Sequence, residues 1–191
     1  SKLFVTQHLN VNCYHVDYVR YLMDVNVIWM VMLTSRDFPE DFVFRKTLPL
    51  HFDLENFDLN RLKTTVLMDA SHNYAKAKRY CIQKEYRDPD ICKKNIVHAV
   101  RHLRLALQLC RDRKISDYRC ANDVWEELFV KESPEFKSWN YEWKYYDMKY
   151  KKLVDDLMAE LKQFVYVQES QSIEFSNIIP YSDMVVTSVP E

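Results

Sequence analysis

At 191 residues, 48% hydrophobic and 29% charged, the chain has the balance of a globular protein of one ordinary domain, or one and a half small ones, able to bury a sizeable core. Its net charge of -1 excludes an overall basic field for nucleic acid, so any such surface has to be local. It contains no glycine, where average usage of about 7% would give roughly 13, which excludes glycine-rich phosphate loops and dinucleotide fingerprints and argues against tight hairpins.

Five cysteines (Cys13, Cys81, Cys92, Cys110 and Cys120) are odd in number and form no C-x-x-C pair. That excludes a zinc ribbon and points to reduced thiols in an intracellular protein, cytoplasmic or nuclear. No secretory signal is evident, and the apolar run from Val25 to Leu33 is too short to span a bilayer, so no membrane partner is expected.

In chain order, Leu3 to Val5 and Val11 to Tyr14 read as short β pieces. Helix follows from Asp17, with Val19, Leu22 and Met23 on one face, continued after a break at Asp24–Val25–Asn26 by Val27, Ile28, Val31 and Met32. Pro39 and Pro49 punctuate a connection with one strand predicted at Phe42 to Phe44. Residues 1–52 thus read as a small α/β segment, and residues 53–166 as a helical bundle. The bundle opens with a helix over Leu59 to Gln83. Leu62, Val66, Asp69, Asn73 and Lys76 share one side of it; Leu67, Ala70, Tyr74 and Ala77 share another. Asp88–Pro89 is an N-cap followed by proline at the first helical position. Ala121 to Val130 reads as a short amphipathic helix with Val124, Trp125 and Leu128 inward. Glu142 to Val165 reads as a long one with Tyr146, Leu153, Leu157 and Leu161 in a stripe. Residues 167–191 carry four acidic side chains and no lysine or arginine, which makes an acidic tail, either an added edge strand or a disordered end. The expected fold class is α+β: a predominantly helical bundle with a small N-terminal β element.

The helix opened by Asp88–Pro89 carries the most chemistry. Ile96, Ala99, Val100, Leu103, Ala106, Leu107 and Cys110 form its core face, and Lys94, His98, Arg101, Gln108 and Asp112 run opposite, interrupted by Leu105. From Lys93 to Arg113, six basic residues (Lys93, Lys94, Arg101, Arg104, Arg111, Arg113) face one acidic residue, Asp112, a local +5. Arginine and lysine on one helix can bind phosphates, although a charged row is more often a solvated face. His98 and His102 have zinc-compatible spacing, but Ala99 stands where H-E-x-x-H needs glutamate, so no metal site is expected. The aromatic run from Trp139 to Tyr150, with Lys137, Lys144 and Lys149, can stack bases or cover a neighbouring helix; Trp29 and Trp125 read as core residues.

Lys94-Asn95-Ile96-Val97-His98-Ala99-Val100-Arg101-His102-Leu103 resembles a K-x-x-x-H-x-x-R-x-L helix in the helical half of predicted nucleotidyltransferases of the DNA-polymerase-β-like superfamily. Asp17-Tyr18-Val19-Arg20-Tyr21-Leu22, followed by Asn26 to Trp29 and Leu33-Thr34-Ser35, is similar to an upstream segment of the same family. The similarity spans about residues 9 to 165. The chain departs from the family after the helix, where Cys110 to Ile115 lacks the family's glycine turn. It also shows no glycine-serine turn followed by an aspartate-x-aspartate pair on a strand; Asp88-Pro89-Asp90 has the spacing but sits at a helix cap, and Asn12 is an amide.

The resemblance implies a nucleotidyltransferase-like protein that binds a nucleotide or RNA through Lys94, His98 and Arg101. Catalysis, with magnesium as cofactor, would need metal carboxylates in a further segment of the protein; otherwise the chain is a noncatalytic derivative. The alternative is a helical module of the same architecture that binds protein partners. No catalytic residue is assigned.

Overall fold

The computed structural model describes residues 2–5, 10–34, 57–131 and 143–164. Helix α1 (Val16–Asp24) opens on His15, whose Nδ1 accepts from the Asp17 amide at 3.3 Å. It ends where Asn26 turns left-handed, at φ 55°. Glycine usually fills such a position, and asparagine is the residue that best tolerates it otherwise. The Asn26 side chain donates to the Asp58 carbonyl at 2.8 Å, and its own carbonyl accepts from Thr65 Oγ1 at 3.0 Å. The break after α1 is thereby tied to the start of the next long helix. Helix α2 (Ile28–Thr34) turns Ile28 and Val31 into the common core.

Helix α3 (Leu59–Ile82) is capped by Asp58, which accepts from the amides of Asn60 (2.9 Å) and Arg61 (3.0 Å). Its buried stripe is Leu62, Val66, Ala70, Tyr74, Ala77 and Cys81, so the two sides suggested by the sequence merge into one. A single turn, Lys84–Tyr86, reverses the chain into helix α4 (Pro89–Asp112), capped by Asp88. The two helices are antiparallel: the Asp88 amide donates to Tyr80 O at their joint, and Asp69 meets His102 halfway along. A short helix, α5 (Asn122–Glu126), follows and is continued by a π-helical turn, Glu127–Lys131. Helix α6 (Trp143–Gln163) lies antiparallel to α3, with the Tyr74 hydroxyl donating to Asp147 at 3.2 Å near one end and Lys63 Nζ to the Lys162 carbonyl at 3.3 Å near the other.

The α+β class needs correction: the chain is of the helical class. Lys2–Val5 and Asn10–Cys13 run antiparallel as an isolated pair of four residues each, and among the described residues no helix packs on them to make a β layer. Two such strands are too short and too few to form a sheet that organises a core. A second correction concerns α4. Leu105, placed on its wetter side by periodicity, is fully buried, as is Leu109, and Val97 is nearly so, because the helix is covered from several directions. The strand expected at Phe42 to Phe44, the 52/53 boundary, Trp139 and the acidic tail lie outside the described residues. Among the described residues no helix is long and apolar enough to cross a membrane.

Asn26 offers a test of this joint. Asn26→Ala removes the bond to the Asp58 carbonyl and puts a Cβ-bearing residue without a local hydrogen bond at positive φ, so unfolding free energy should fall by about 2–3 kcal/mol. Asn26→Gly loses the bond but relaxes the backbone, and should cost about 1 kcal/mol less. Chemical denaturation of the three proteins reads both values; equal losses would show that the backbone conformation carries no cost.

Candidate functional site

The row on α4 is only partly solvated: Lys94 and Asp112 at its ends are exposed, while His98, Arg101 and Gln108 between them are half-buried. After α4 the chain turns left-handed at Arg113 (φ 52°) and comes back along the helix it has just left. Gln108, a solvated residue by periodicity, makes that return. Its Oε1 accepts from Ser116 N (3.0 Å), Ser116 Oγ (3.1 Å) and Asp117 N (2.8 Å), and its Nε2 donates to Asp117 O at 3.0 Å. Arg104 then holds the segment by donating to the Cys120 carbonyl and pairing with Asp123 at 2.6 Å. Further on, Glu127 binds Lys149 (2.7 Å) and the Tyr150 hydroxyl (3.0 Å) of α6. The returning segment is therefore anchored to helices on both sides.

Between it and α4 lies a cleft of about 390 Å³. Lys94, His98 and Arg101 line its α4 side together with Ile91 and Val97; Trp125 and Phe129 line the opposite side, and Asp88 and Asp90 stand at the end where α4 begins. All three sequence-predicted site residues thus share one concave surface. The aromatic side is what the sequence reading misses. Periodicity points Trp125 inward, yet it is 44% exposed, while Val124 and Leu128 beside it are buried. Trp125 and Phe129 stack with ring centroids 5.7 Å apart and planes 24° from parallel. Their signal is a second i, i+4 pair next to the apolar pair of Val124 and Leu128.

The basic residues of α4 divide into two groups. Arg104 pairs with Asp123, Arg111 pairs with Glu160, Lys93 lies over the Phe129 ring at 5.8 Å, and Arg113 lies over Phe57 at 4.7 Å. Lys94 and Arg101 have no side-chain hydrogen bond or ion pair among the described residues. Arg101 Nε is moreover buried without a hydrogen-bond partner there. Buried donors are nearly always satisfied, so an orphan of this kind needs an explanation.

His98 lies between them with its ring 5.6 Å from that of His102, which is itself held by Asp69 and only 12% exposed. Burial, then the neighbouring His102, Arg101 and Lys94, push its pKa down from 6.5 to about 4. At neutral pH the ring is uncharged, with one nitrogen able to donate and the other to accept.

The cleft's carboxylates do not fit the magnesium pair that the resemblance implies. Asp88 Oδ1 is engaged as a cap by the amides of Asp90 (3.0 Å) and Ile91 (2.9 Å), and the positive end of a helix opposes a cation there. His102 Nδ1 is taken by Asp69, which removes one ring nitrogen from a zinc pair with His98. Among the described residues no group of three His, Cys, Asp or Glu side chains could hold a metal ion. Cys81, Cys92, Cys110 and Cys120 are reduced thiols, and burial raises Cys110 and Cys120 to about 11. Comparisons with protein-family models, with curated proteins and with solved structures return no match.

His98 makes the fold sensitive to acid. Its folded pKa of about 4 lies below the unfolded 6.5, so between those values the unfolded chain binds the extra proton. Stability from this group is level above pH 6.5 and is lost as pH falls through the window, by on the order of 1–3 kcal/mol. His98→Gln has no such proton to bind. Denaturant titrations from about pH 4 to 7.5 should show the wild type losing ground to the variant on acidification; a constant difference between them would show that His98 is not held neutral.

Proposed function

We propose that the cleft binds the phosphates of a nucleotide or of RNA through Lys94, Arg101 and neutral His98, without chemistry on the bound molecule. The observation that carries this reading is the pair of unpartnered cations, one with a buried orphan donor, on the same concave surface. A guanidinium offers two parallel donors to a phosphate, an ammonium adds a point charge, and an uncharged imidazole can donate once more. The short likeness of Lys94 to Leu103 to nucleotidyltransferase helices supports it from the sequence side. The reading fits an intracellular protein, since such ligands abound there.

The test is calorimetric titration with adenosine triphosphate and with a short single-stranded RNA. Arg101→Ala should weaken binding by about 1.5–3 kcal/mol, the worth of a hydrogen bond to a charged group. Stability should stay within about 0.5 kcal/mol of wild type or rise, because the substitution also removes an unsatisfied buried donor. Arg111→Ala, which breaks only the outer pair with Glu160, should leave affinity unchanged. Equal affinity of wild type and Arg101→Ala, or no binding by the wild type, would refute the reading.

A further inference from the structure

Resting on that phosphate reading, we propose that the occupant is a single nucleotide whose base stacks on Trp125 while its phosphates lie between Lys94 and Arg101. The wall facing the cations is aromatic, and a large indole is kept nearly half exposed within it. Phe129 stacks on Trp125 and is itself steadied by Lys93, so the indole plane is set before any ligand arrives. A preset aromatic plane suits a flat, polarizable group, and every base presents one. Lys94 and Arg101 are seven residues apart, about 10 Å along the helix, which a triphosphate can bridge.

Two features favour a single nucleotide over a polynucleotide running through. At about 390 Å³ the cleft lies at the small end of ligand pockets, which hold one drug-sized molecule and not several linked ones. The acidic groups Asp88 and Asp90 close the end beyond Lys94. A strand continuing along α4 past Lys94 would bring its next phosphodiesters against those carboxylates, whereas the charge of a single nucleotide ends between Lys94 and Arg101.

The experiment titrates wild type, Trp125→Ala, Trp125→Phe and Arg101→Ala with adenosine triphosphate, tripolyphosphate and a single-stranded RNA of about eight nucleotides, within the length range one binding surface occupies. Wild type should bind adenosine triphosphate about tenfold or more tighter than tripolyphosphate. Trp125→Ala should remove that preference and leave tripolyphosphate binding intact, which also reports a folded cleft; Trp125→Phe should keep most of it. The RNA should bind no tighter than the nucleotide. Equal wild-type affinity for nucleotide and tripolyphosphate, both lost in Arg101→Ala, would overturn the stacking proposal and leave the phosphate reading standing. An RNA that binds more than about tenfold tighter than the nucleotide would overturn the single-nucleotide proposal. Failure of the wild type to bind any of the three would overturn both.

Discussion

The antiparallel contact between α3 and α4 is the constraint from which the rest follows. Ala70 and Ala77 on one helix and Ala99 and Ala106 on the other are all fully buried, and residues this small let the axes approach closely. The Asp69–His102 pair crosses the same interface and fixes one helix against the other along its length. With α4 held on this side by α3 and on another by α6, its remaining side is left for the segment that follows it. Gln108 takes that segment with four hydrogen bonds, and Trp125 is delivered opposite His98 as a consequence. The cleft is a product of helix packing more than of any local motif.

Electrostatics then separates the cleft from the surrounding surface. A local excess of positive charge on a helix says little alone, because most of these side chains are engaged where the chain folds: Arg104 and Arg111 find carboxylates, and Arg113 and Lys93 find rings. Exposed pairs of this sort are worth at most about 1 kcal/mol, so their role is better understood as structural docking of the returning segment and of α6. Lys94 and Arg101 are different in kind. They lie close enough to His98 to depress its pKa together with burial, and two like charges near a buried imidazole are tolerated only at some cost. An arriving anion would relieve that repulsion and satisfy Arg101 Nε at once.

The long helices are legible in the sequence because their causes are local. Asp88–Pro89 starts α4 as a cap and a proline should, and the period of Leu59 to Gln83 matches α3 to within one residue at its end. The three cationic-face residues are legible too, as positions on a helix. What the sequence does not show is what covers that face. Periodicity ranks the sides of a helix by polarity and is silent about partners from elsewhere in the chain. It therefore places Leu105 in water, although that side chain is fully buried, and gives Gln108 no task, although it holds Ser116 and Asp117 of the segment that folds back over it. It misplaces Trp125 because five residues of helix are too few to define a face, and the π turn after it shifts the phase. The β pieces mark extended backbone and nothing larger; short alternation cannot supply the further strands or covering helix that would make a fold class of them.

The missing glycines bear on the same point. Left-handed positions do occur, at Asn26 and Arg113, and both sit where a helix ends and a new direction begins. A residue with a Cβ pays about 1–2 kcal/mol there, and each of these is held by a distant partner that offsets the strain. Asn26 is tied to Asp58 and Thr65. The Arg113 guanidinium lies over the Phe57 ring, and its Nη1 donates to the Phe57 carbonyl at 3.4 Å. A glycine would make either turn easily and leave it free to sample others. A side chain anchored in the core admits one. Since the turn at Arg113 aims the segment that becomes the aromatic wall, the anchored turn sets the two sides of the cleft in register with one another, and a site preorganised in this way would lose less freedom on binding.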